Sequence, residues 1–152
     1  MNDIVSSLRA QSLFQNIESE EIARIAQHFA TKNIDRDEPV FCVGEASEGL
    51  YLIHSGRVEV SKMTADGWRQ TLVVLSKGHF FGEIALLENT SHATDARALE
   101  PTELFVMPGE RFHALEVEAP GTMLKIIKNI AIIQGLNIRR MNEKFLNALI
   151  NY

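Results

Sequence analysis

The segment Phe80-Phe81-Gly82-Glu83-Ile84-Ala85-Leu86-Leu87, followed by His92-Ala93-Thr94, holds the residue types best suited to grip a small ligand. Glycine lets main chain approach a ligand closely, and successive free backbone N–H groups form a concave cradle for an anion. Gly82, Ile84 and Ala85 can supply that cradle, and Glu83 can accept a hydrogen bond from a sugar hydroxyl. Taken alone, a Gly-Glu pair in a turn is usually structural. Metal chemistry finds less support. His79 and Glu83 lie four apart, but on a strand-turn segment that spacing does not converge, and no His-x-His pair exists. The single cysteine, Cys42, excludes an internal disulfide and a four-cysteine metal site. Within Val40-Phe41-Cys42-Val43 it reads as a small core residue. No Ser-His-Asp order can be argued and no Gly-x-Ser-x-Gly occurs. His28, His54 and His113 are scattered and read as surface or satisfied residues. No catalytic or metal residues are assigned, and the chain reads as non-enzymatic.

The elements that must position this segment follow from periodicity. Residues 1–30 read as helical: Ser19 supplies a capping side chain, Glu20 and Glu21 follow it, and Ile22, Ile25, Ala26 and Phe29 form an apolar face. From residue 31 to 107 the apolar pieces shorten and are broken by turn residues, as in all-β rolls. Leu50-Tyr51-Leu52-Ile53 and Val58-Glu59-Val60 flank a hairpin at Gly56, and Asp66-Gly67 marks a second. Thr71–Leu75 is a strand closed by Gly78, and Thr94–Ala98 and Glu103–Met107 are the last two. Residues 108–152 read as C-terminal helices, with Pro108 and Pro120 each in a first turn.

Along the last helix Leu124, Ile127, Ala131, Gln134, Ile138, Met141, Phe145 and Ala148 recur at steps of three and four, a heptad seam whose only polar member is Gln134. A second stripe of Met123, Ile126, Ile130 and Ile133 widens the apolar surface. One stripe can lie on the roll while the other meets a second subunit. The alternative is a helix folded wholly onto its own domain. The seam outlasts what a small roll can cover, which favours a homodimer through Leu124, Ile127, Ala131, Ile138, Met141 and Phe145.

The 152 residues predict one domain spanning 1–152, and 45% apolar with 23% charged residues argues against disorder. A net charge of −5 and no basic run longer than Arg139-Arg140 disfavour nucleic acid. No signal pattern opens the chain, and no apolar run approaches the roughly 20 residues of a membrane span. The expectation is a cytoplasmic protein.

Phe81-Gly82-Glu83-Ile84-Ala85-Leu86 resembles the phosphate-binding cassette of cyclic nucleotide-binding domains, such as those of catabolite activator proteins and the regulatory subunit of protein kinase A. Leu50 to Val58 is similar to the family's second signature, and the likeness runs from about Leu13 to Glu143. The resemblance implies a mainly β fold with flanking helices: a double-stranded, jelly-roll-like β-roll with N-terminal helices and a long C-terminal helix. It further implies that Glu83 takes a ribose 2′-hydroxyl and that Gly82, Ile84, Ala85 and Ala93 belong to the cassette. Leu72, Val73 and Phe80 would form an apolar wall. Cyclic AMP, cyclic GMP or another small anionic ligand are the candidates, with no required cofactor.

The family's phosphate-gripping arginine is replaced by His92, with Asp95 three residues on. Arginine is a permanently charged fork; histidine offers fewer contacts and is largely neutral above its usual pKa. Loss of a bidentate charged contact costs about 2–4 kcal/mol, and an inward Asp95 would repel phosphate. The leading expectation is therefore a regulatory sensor module for signal transduction, in which ligand shifts the packing of the last helix. The alternative is a degenerate roll acting as a dimerising or docking scaffold without nucleotide. A metal-dependent enzyme on a similar barrel is a third, disfavoured reading. Too little chain follows the roll for a helix-turn-helix, so no DNA-binding domain is expected and the effector is unassigned.

Overall fold

The computed structural model describes residues 2–151; Met1 and Tyr152, the ends of the expected span, lie outside the described residues. Two helices, α1 (Asn2–Arg9) and α2 (Ser19–Ala26), flank a single 3-10 turn at Ser12–Phe14. Eight strands follow: β1 (Ala30–Ile34), β2 (Pro39–Phe41), β3 (Gly49–Ser55), β4 (Arg57–Met63), β5 (Arg69–Ser76), β6 (Phe80–Phe81), β7 (Asp95–Ala98) and β8 (Thr102–Pro108). Between β6 and β7 sits a short helix, α3 (Glu83–Glu88), and the chain closes with α4 (Gly109–Glu118) and α5 (Pro120–Ile150).

The strands pair antiparallel into two four-stranded sheets, β1-β8-β3-β6 and β2-β7-β4-β5. This is the double-stranded β-roll expected from the sequence. Side-chain alternation along β3 explains why residues 50–53 form an unbroken apolar run. Tyr51 and Ile53 point between the sheets with Ile34, Phe41, Val58, Phe81, Leu104 and Val106. Leu50 and Leu52 point the other way, joining Phe80, Phe105 and Met107 under Leu13, Phe14, Ile25, Phe112, Met123 and Ile126 of the helices. The first sheet thus has two buried faces, one for the roll and one for the helices.

The turn at Gly56 joins β3 to β4 with φ of 94°, and a Cβ there would stand 2.3 Å from Thr102 Oγ1. That position demands glycine on two counts. The second hairpin closes at Gly67, where the Thr64 carbonyl accepts from the Gly67 N–H at 3.0 Å.

Three local readings are corrected. The cap of α2 is Glu18, one residue before Ser19: the Glu18 N–H donates to the Glu21 carboxylate at 3.0 Å, one arm of a capping box. Pro108 ends β8 and precedes the first turn of α4, because its neighbour Gly109 still bonds backbone to Glu48; Pro120 does open α5. Cys42 lies just past β2 and is half-buried, not a core residue, although burial pushes its thiol above the usual range.

α5 divides along its length. Thr122, Met123, Ile126 and Ile130 are buried, and Glu21 accepts from Thr122 Oγ1 at 2.9 Å and Lys125 Nζ at 2.8 Å. Asn129 Nδ2 donates to the carbonyls of Leu13 and Gln15, each at 2.8 Å. From Leu136 to Ile150 every residue is exposed. At about 1.5 Å per residue the helix is roughly 46 Å long, so half of it reaches past the body of the fold.

Candidate ligand site

β6 ends at Gly82, whose φ of 80° turns the chain sharply. A Cβ at this position would lie 2.8 Å from Tyr51 Cδ2, so the roll's own ring enforces glycine. The next residues coil into α3, where a strand-turn segment was expected. The run Ile84-Ala85-Leu86-Leu87 fits either period over so short a length, and burial of Ala85 and Leu86 with exposure of Ile84 and Leu87 selects the helix.

Glu83 opens α3 and is only 5% exposed. Burial raises its pKa above the usual carboxylate range, opposed by bonds from its own N–H and from Gln134. The Gln134 amide of α5 donates to Glu83 Oε1. The single polar residue of the heptad seam therefore reaches back from the long helix to the cassette. Asn137 in turn donates to Gln134 Oε1 at 3.3 Å.

His92 is 5% exposed and stacks on Phe41 with centroids 3.5 Å apart and rings 5° from parallel. Phe41 continues to Phe81 at 5.9 Å and to Tyr51 at 5.7 Å, and Tyr51 stacks on Phe81 at 5.0 Å. His92 Nε2 is buried without a hydrogen-bond partner. Burial lowers its pKa; the carboxylates of Glu45 and Glu48 act in the opposite sense. Its backbone is pinned, Gly44 N–H to His92 O and His92 N–H to Glu45 O, both at 2.9 Å.

Asp95 does not confront the cassette as a free charge. It accepts from the Val43 N–H at 2.8 Å and pairs with Arg69 at 2.7 Å, contacts that hold its pKa below the usual range. Arg97 pairs with Glu59 at 3.4 Å. Among the described residues neither Glu83 nor His92 makes a side-chain bond to a lysine or arginine.

Gly82, Glu83, Ile84 and Ala85 are consecutive at the opening of α3, while His92 is buried against Phe41 and Ala93 is exposed. Leu72 and Val73 of β5 are 55% and 43% exposed. Phe80 does not join them: it packs on the helix side of the sheet, and Phe81 is the ring that faces the roll interior. The sequence reading missed Phe41 and Tyr51 as neighbours of the cassette. The aromatic type and strand position of both were visible, but their stacking needs the register. A cavity of about 380 Å³ opens behind α3, lined by Ser47, Ala85, Leu86, Asn89, Gly109 and His113 among others. Of the candidate ligand residues it meets Ala85 only. His79 folds back on the Ser76 backbone at 3.0 Å, and among the described residues no three His, Cys, Asp or Glu side chains gather as metal ligands. No described helix is long and apolar enough to cross a membrane.

A model of the cyclic nucleotide-binding domain matches residues 31–117. The chain is 34% identical over 130 residues to a putative potassium channel protein of Rhodopseudomonas palustris, covering 86% of this chain and 30% of that protein. It is 31% identical over 132 residues to the cyclic AMP receptor protein of Thermus thermophilus, covering 87% of this chain and 59% of the relative. The crystal structure of the Thermus thermophilus catabolite activator protein superposes with a TM-score of 0.77 at 27% identity, over 89% of this chain and 62% of that one. The chain thus spans under two thirds of these relatives' length. With its two-sheet roll, glycine-opened cassette helix and long final helix, this chain belongs to the cyclic nucleotide-binding domain family.

Proposed function

We propose that this chain is a regulatory ligand-sensing module in which the turn at Gly82-Glu83 takes a ribose-bearing ligand of the nucleotide class and α5 carries the response. One observation carries the reading: the buried Glu83 carboxylate is held by Gln134 of α5. A ribose hydroxyl donates to a carboxylate as an amide N–H does, so ligand and α5 compete for, or share, the same acceptor. Whatever occupies Glu83 changes the energy of one helix position relative to another, which is what a population shift requires. Ile84, next to that carboxylate in the chain, is 52% exposed and offers apolar surface for a base. Cyclic AMP is the first probe because one Thermus relative is named a cyclic AMP receptor protein.

Calorimetry with cyclic AMP, cyclic GMP, adenosine and guanosine tests the proposal. Saturable binding of at least one, abolished in Glu83→Ala, is the expected result. Silence of all four at millimolar concentration refutes it.

A second reading is a pairing scaffold without nucleotide, favoured by the sealed His92 ring and by Ile138, Met141 and Phe145, each more than half exposed on α5. Pairing through α5 is compatible with sensing, so the calorimetry separates the readings and the oligomeric state does not.

A further inference from the structure

We propose that the Gly82-Glu83 turn selects an uncharged ribonucleoside over the corresponding cyclic monophosphate. The inference rests on the sensing role of the Glu83 turn and adds the chemical class of its ligand.

Among the described residues the Glu83 side chain is an acceptor to which no lysine or arginine bonds. Glu83 presents a carboxylate with two oxygens, of which one receives the Gln134 amide. A free ribonucleoside brings vicinal 2′- and 3′-hydroxyls, two donors suited to a carboxylate; a 3′,5′-cyclic phosphate leaves only the 2′-hydroxyl. On the side where the phosphate would lie, the residue in place of arginine is His92, stacked flat on Phe41 and sealed from solvent. The charges that act on its ring are the carboxylates of Glu45 and Glu48. Three basic side chains of the roll are engaged elsewhere: Arg69 with Asp95, Arg97 with Glu59 and Lys32 with Glu48. A phosphate anion placed here would have the backbone N–H groups that open α3 but no cationic side chain bonded at Glu83 or His92, whereas a neutral sugar would lose little on leaving water. The exposed Ile84 side chain would meet either ligand's base and so does not discriminate.

The test compares adenosine with cyclic AMP, and guanosine with cyclic GMP, by calorimetry on the wild-type chain at pH 7.5, with 2′-deoxyadenosine as a control. The expected result is a nucleoside bound at least about 10-fold more tightly than its cyclic monophosphate, with a comparable loss for 2′-deoxyadenosine. His92→Arg, which restores a cation, should shrink or invert that ratio. A wild-type chain that prefers the cyclic monophosphate overturns this inference and leaves the sensing role standing. Binding of cyclic AMP to His92→Arg with no wild-type binding of any nucleoside also overturns it, while showing that the pocket exists. No binding of any probe to either protein overturns both.

Discussion

Gly82, Glu83 and His92 each hold a conformation or charge state that their surroundings impose. Gly82 sits in the left-handed region against the Tyr51 ring. Gly82→Ala should destabilise the fold by about 1–2 kcal/mol from backbone strain, with the clash adding to that, as urea denaturation would report. Glu83 has a raised pKa, so between its unfolded and folded values the native state holds more protons than the unfolded chain. Stability contributed there falls as pH rises above the usual carboxylate value of about 4.5 and the loss is complete above the folded pKa. Glu83→Gln should accordingly gain stability relative to wild type between pH 5 and pH 8. Equal stabilities across that range would show that burial does not strain the carboxylate. His92 works in the opposite direction. Its lowered pKa means the unfolded chain binds protons first, so stability falls as pH drops below about 6.5. His92→Phe, which keeps a ring on Phe41, should remove that acid-side slope. The glycine and the carboxylate were legible in the sequence through their chemistry and their family motif. The sealed state of His92 was not, because stacking on Phe41 depends on the loop from Cys42 to Glu45 being tied back to residues 92 and 95.

At the scale of elements, legibility tracked the length of each pattern. The strands at 50–53 and 58–60 and the long last helix carry several repeats of their period, and each appears where its period placed it. The cassette helix spans six residues, under two turns, too short for period 3.6 to be told from a buried strand. The cap of α2 was displaced by one residue because glutamate as well as serine can accept from the helix's first N–H groups. Anchoring of α5 is concentrated in its first half. Glu21 has its pKa lowered to about 2, chiefly by the Lys125 ammonium and then by the Glu18 N–H and Thr122 hydroxyl. The stability from this cluster is present above the usual carboxylate pKa and lost as pH falls from there through about 2. Lys125→Ala should loosen the α2–α5 junction and reduce the acid sensitivity of its amide exchange.

For the molecule as a whole, the helices are bound to the roll through one shared sheet. Phe112 is fully buried in that layer, and Phe112→Ala should cost about 3–5 kcal/mol by leaving a cavity, measured as a fall in the denaturation midpoint. The heptad seam beyond Gln134 meets nothing in the described residues: Ile138, Met141 and Phe145 are 58%, 67% and 64% exposed. A second copy covering them would explain an apolar face of this length. Light scattering should give a dimer that becomes a monomer in the double variant Met141→Glu, Phe145→Glu. A wild-type monomer at high micromolar concentration would remove the pairing role. Sequence periodicity located this face, but it holds no information on whether the partner is a second copy.

Ligand at the cassette must be felt in α5 if Glu83 and Gln134 form the working contact. Hydrogen–deuterium exchange over residues 130–137, with and without saturating adenosine and cyclic AMP, reads this directly. At least one ligand should change exchange there in the wild type, and Gln134→Leu, though still binding, should lose the change. Bound ligand with unaltered exchange along α5 would contradict it.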